Sequence, residues 1–99
     1  MHKALLTTLV LLLAPGAVSA AQIERACLRA DRPDANRALC GCIQDAANLT
    51  LSDRDQRRAA KFFTDPQDAQ DTRQSDRRAD ERFWARYRAF GETAEAYCS

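Results

Sequence analysis

The chain has 99 residues, 29% of them charged, with 15 Lys and Arg against 14 Asp and Glu and a formal net charge of +1. This near-balance lacks the basic surplus that phosphate binding uses, which argues against nucleic acid as a partner. The length allows one domain and leaves little room for a deep catalytic cleft.

Residues 1–20 read as an export signal. His2 and Lys3 give the charged start, and Ala4 to Ala14 an apolar run of 11 residues, shorter than the ~20 needed to cross a bilayer. Pro15-Gly16 breaks the run, and Val18-Ser19-Ala20 offers small residues for cleavage near Ala20. The expectation is a domain over residues 21–99, periplasmic or secreted, with no membrane span after Ala21. Without Lys3 the charges stand at 14 basic against 14 acidic.

Leu, Ile, Val and Phe are only 10 of the 79 residues after Ala20, a share typical of disordered chains. The high net charge that accompanies disorder is missing. A chain this short of core needs covalent staples. Cys27, Cys40, Cys42 and Cys98 provide them, since an exported chain meets an oxidising compartment.

Strand-type alternation is absent, so the fold class is all-α, with four or five short helices. The first helix is predicted from about Gln22 to Ala30, with Ile23, Ala26, Cys27 and Ala30 on one face. Pro33 breaks it, and Asp34 offers a cap for a second helix over about Ala35 to Asn48. That helix carries Leu39, Ile43 and Ala46 at helical spacing. The third, about Asp53 to Phe63, is capped by Ser52 and turns Ala59, Phe62 and Phe63 inward. Asp53–Arg57 and Asp55–Arg58 are spaced to pair along it. Asp65-Pro66 starts a polar surface helix to about Gln74, with only Ala69 to bury. In the last helix Phe83, Tyr87, Phe90, Ala94 and Tyr97 form one apolar face, and Gly91 is expected to permit a close helix crossing.

At ~100° per residue, Cys40 and Cys42 lie about 160° apart, one on each flank of the second helix's apolar stripe. They are thus aimed at different neighbours. The turn at Pro33 sets Cys27 opposite Cys40 in an antiparallel hairpin. Cys27–Cys40 with Cys42–Cys98 is therefore favoured over the swapped arrangement. Redox or metal work by Cys40-Gly41-Cys42 is the weaker reading. Dithiol oxidoreductases use C-x-x-C, and the lone His2 and Met1 fall in the signal, so no cofactor or metal site is expected.

Loss of His2 also removes Ser-His-Asp and Cys-His chemistry. Ser52, Ser75, Ser99, a few Thr and Lys61 remain as candidate nucleophiles; Ser52 reads better as a cap and Lys61 as a solvated helix residue. Asp65, Asp68, Asp71, Asp76, Asp80 and Glu81 could pair for acid–base work. Their neighbours Arg73, Arg77, Arg78 and Arg82 point instead to a solvated ion-pair surface. No catalytic residue is expected. The remaining candidate is an interaction surface of Arg78, Arg82, Trp84, Arg86 and Arg88, since Trp and Arg dominate binding hot spots. The alternative for Trp84 is packing over the core edge with Arg stacked on it.

Gln56-Arg57-Arg58-Ala59-Ala60-Lys61-Phe62-Phe63 with Asp65-Pro66, Arg73-Gln74-Ser75-Asp76, Cys40-Gly41-Cys42-Ile43-Gln44 and Phe83-Trp84-Ala85-Arg86-Tyr87-Arg88-Ala89-Phe90-Gly91 span nearly all of the chain after the signal. Together they resemble an uncharacterised family of small exported alphaproteobacterial four-cysteine proteins, whose members are often labelled arginine transporters. The resemblance implies no catalytic residues. A transporter needs membrane spans, and nothing after Ala21 provides one. The function expected is a non-enzymatic accessory or binding protein of the bacterial envelope with a protein partner. Alternatives are a periplasmic binder of an amino acid or anion, and, less favoured, a small hydrolase or redox protein.

Overall fold

The computed structural model describes residues 21–98; the segment 1–20, expected to be a signal, and Ser99 lie outside the described residues. Among the described residues five helices follow one another: α1 (Gln22–Arg29), α2 (Arg37–Thr50), α3 (Asp53–Thr64), α4 (Pro66–Gln74) and α5 (Arg78–Cys98). Among the described residues there is no strand, and no helix is long and apolar enough to cross a membrane. The all-α reading holds.

Both disulfides pair as favoured, Cys27–Cys40 with a Cα separation of 5.6 Å and Cys42–Cys98 with 5.7 Å. Each lies within the ordinary span for such a bridge. Cys40 therefore ties α2 to α1, and Cys42 ties α2 to the end of α5. Cys27 and Cys40 are buried, whereas Cys42 and Cys98 are half-buried.

The helix ends follow local chemistry. Ser52 Oγ accepts from Asp55 N at 3.1 Å and caps α3. Asp65 precedes Pro66 and accepts from Asp68 N at 3.3 Å, opening α4. The cap of α2 is not Asp34 but Asn36, whose Oδ1 accepts from Leu39 N at 2.8 Å. Residues 32–35 are taken up by a turn, with Ala35 N on Arg32 O at 3.2 Å. The extended backbone that a cap needs thus falls at Asn36.

The core joins Ile23 of α1, Ala46, Ala47 and Leu51, Ala59 and Phe62 of α3, and Phe83 and Phe90 of α5. Alanine at Ala47 and Ala59, both fully buried, offsets the shortage of large residues by letting helices approach closely. Over them lies an aromatic cluster. Phe62 meets Phe83 edge-on at 5.9 Å and Tyr87 at 5.1 Å, and Tyr87 meets Phe90 at 5.7 Å. Offset and edge contacts of this kind add to area burial.

The structure corrects several expected contacts. The buried side of α2 is Cys40, Gln44, Ala46 and Ala47; Leu39 and Ile43 lie on the same side but are only half-buried, Ile43 packing against the core. In α4 the buried residue is Thr72, whose hydroxyl is satisfied by Asp68 O at 2.8 Å; Ala69 is half-buried. The face of α5 ends at Ala94, because Tyr97 is 76% exposed and shares a shallow groove with Cys42, Asp45, Ala46 and Leu49 of α2 alone.

Gly91 permits no close crossing. A Cβ built there meets nothing within 4 Å. Glycine inside an exposed helix costs about 1 kcal/mol relative to alanine. Gly91→Ala should therefore raise stability by about 1 kcal/mol in urea unfolding. A destabilised variant would mean that the position needs glycine after all.

A candidate basic face on α1, α3 and α5

In α3 the basic residues are not scattered. At ~100° per residue, Arg54, Arg57, Arg58 and Lys61 fall within an arc of about 100°. The core residues Gln56, Ala59 and Phe62 occupy the other side. The arc is consequently the outward ridge of α3, and a groove runs along each flank of it.

On the α5 side, Arg54, Asp55 and Arg58 face Ala79, Arg82, Phe83 and Arg86 across a groove of about 320 Å³. Two of its guanidiniums are fixed in place. Arg86 grips Asp55 with Nε at 2.6 Å and Nη2 at 3.2 Å, a two-pronged contact. Arg58 Nη2 reaches Asp80 Oδ1 at 2.6 Å while its guanidinium carbon sits 4.4 Å from the centre of the Phe83 ring. Asp55 and Arg58, spaced to pair along α3, thus bond across to α5 instead. The interhelical partners win because α5 brings Asp80 and Arg86 to the same flank.

Asp80 also accepts from Ser75 Oγ at 2.6 Å. That hydrogen bond, and then the one from Arg58, hold its carboxyl below the ordinary carboxylate value. The bond to Asp55 raises Arg86 above its ordinary value. Arg54 and Arg82 are exposed and make no ion pair among the described residues. The groove therefore offers two pinned and two movable guanidiniums around one carboxylate.

On the other flank, α1 and α3 bound a groove of about 420 Å³, with Arg25 and Arg29 one helical turn apart on α1 and Lys61 opposite them. Its floor is Ala26 and Ala60. Among the residues lining the two grooves, Asp55 is the only acidic one.

The surface expected on α5 is divided by this arrangement. Arg82 and Arg86 line the α3 groove. Arg78 and Arg88 are exposed on α5 outside both grooves. Trp84 is half-buried and packs at the core edge, 5.1 Å from Tyr87 and 6.4 Å from Phe62. The stacked arginine is Arg58, and the ring beneath it is Phe83 rather than Trp84. Arg25, Arg29, Arg54, Arg57, Arg58 and Lys61 were missed as a group. The arc on α3 was readable from its spacing; its meeting with α1 and α5 was not.

Ser52 serves as a cap and Ser75 as a ligand of Asp80; Ser99 lies outside the described residues. No cluster of three or more His, Cys, Asp or Glu side chains suited to a metal occurs among the described residues. No known protein family, curated protein or solved structure matches the chain.

Proposed function

We propose that this protein is a non-enzymatic accessory or binding protein of the bacterial envelope that docks on an anionic partner. The observation that carries the reading is the α3–α5 groove, where Arg58 and Arg86 are held rigid while Arg54 and Arg82 stay available. Guanidiniums match carboxylate and phosphate in a bidentate way that ammonium groups do not. Pinning two of them lowers the ordering cost of binding. The groove's carboxylate, Asp55, and the neighbouring Asp80 are committed to arginines, which leaves neither free as an acid or base and supports a non-catalytic role. The export signal and the two disulfides support an extracytoplasmic location.

The exported protein should recover a stoichiometric partner from envelope extracts, and Arg54→Glu/Arg82→Glu should lose it. Repeated recovery with neither a protein nor a lipid partner, or capture that survives the double variant, sinks the proposal. The size of the groove favours a second reading, a periplasmic binder of a small anion or amino acid. Its sign would be a rise in melting temperature with phosphate, a dicarboxylate or an amino acid, absent in Arg82→Glu.

A further inference from the structure

Resting on that docking reading, we infer that the partner is an anionic phospholipid surface, met by the basic face that α1, α3 and α5 present together. The whole chain is nearly neutral, yet both grooves and the ridge between them are basic. The face joins the Arg25–Arg29 row, the Arg54–Lys61 ridge and the Arg82–Arg86 row. The three rows stand on three different helices. A face spread in this way is broader than one small anion and suited to several headgroups at once.

The composition of the face separates lipid from protein. A specific protein interface is centred on desolvated aromatic or aliphatic residues inside a polar rim. This face has no such centre. The exposed large hydrophobics, Leu28, Leu49 and Tyr97, line neither groove, and Trp84 is drawn into the core edge. Phe83 lies beneath Arg58 with 1% exposure. What remains is charge carried on rigid helices, which binds headgroup phosphates without inserting into the bilayer. The guanidiniums held by Asp55 and Asp80 keep N–H donors turned to other acceptors, since each has five and spends one or two.

Each Lys or Arg near an anionic leaflet contributes about fivefold in affinity. Co-sedimentation of the residue 21–99 protein with vesicles of phosphatidylcholine plus phosphatidylglycerol should show binding, and vesicles of phosphatidylcholine alone should show none. Raising salt toward ~1 M, where screening acts within ~3 Å, should abolish it. Arg54→Glu/Lys61→Glu/Arg82→Glu should weaken binding by at least about a hundredfold. These side chains are exposed and have no ion-pair partner among the described residues, so the variant should melt as the wild type does. Arg37→Glu/Arg73→Glu/Arg88→Glu changes the net charge equally off the face and should bind nearly as well as wild type.

Equal losses in both variants, or equal binding to neutral vesicles, would overturn the assignment. Recovery of an acidic envelope protein without vesicle binding overturns the lipid partner and leaves the docking reading standing. Failure of both vesicles and pull-down removes both.

Discussion

Reduction of both disulfides should unfold the domain. Cys27–Cys40 closes a short loop, with 13 residues of separation, and Cys42–Cys98 a long one, with 56. On the chain-entropy account these stabilise by about 3 and about 4 kcal/mol. Together they match the lower end of the ~5–15 kcal/mol that holds an ordinary domain. This domain belongs at that end, because alanines fill much of its core. Urea unfolding with and without a strong thiol reductant checks this directly. Removing the pairs separately, as Cys27→Ala/Cys40→Ala and Cys42→Ala/Cys98→Ala, should leave two partly stable proteins, the second weaker by about 1 kcal/mol. A fully reduced protein with an unchanged unfolding midpoint would show that noncovalent packing suffices.

Gln44→Leu should cost about 3–5 kcal/mol, although it replaces a polar residue by an apolar one in the core. Gln44 Oε1 accepts from Ile23 N at 2.8 Å and from Glu24 N at 3.0 Å. Those are orphan N–H groups in the first turn of α1, and Ala21 supplies no side-chain cap. Gln44 Nε2 donates to Asn48 Oδ1 at 2.8 Å and Gln56 Oε1 at 2.9 Å. Gln56 in turn donates to Leu51 O at 3.2 Å and Asn48 Oδ1 at 3.2 Å. No buried side-chain polar atom among the described residues lacks a partner. Leucine would break that closure, leaving two backbone donors and the Gln56 carbonyl unmatched. Gln56→Leu should couple to it in a double-mutant cycle, since the two side chains touch. A loss below about 1 kcal/mol for Gln44→Leu would mean that water replaces the amide.

These expectations separate what local sequence shows from what it hides. Ser52 and the Asp65-Pro66 pair announced α3 and α4 because a cap is a contact between near neighbours. The pairing of Cys40 and Cys42 with different helices was readable for the same reason, as two directions about a single axis. Gln44 and Gln56 carry no such mark. In a helical pattern a glutamine reads as solvent-facing, and only the arrival of the α1 N-terminus makes its burial favourable.

Thr72 and Tyr97 fail in opposite senses on the same principle. The threonine is covered by neighbours from other helices, while the tyrosine continues an apolar stripe beyond the helices that cover it. The sequence by itself determined the all-α class, the helix starts at Ser52 and Asp65, and the aim of Cys40 and Cys42 at different neighbours, and it favoured the pairing that the fold adopts. Each of these rests on spacing along one helix or on covalent need. Tertiary structure alone decided the buried glutamine network, the crossing of Asp55 and Arg58 to α5, and the gathering of the basic residues into one face. All three require side chains on separate helices to meet, and that meeting is set by packing around the core.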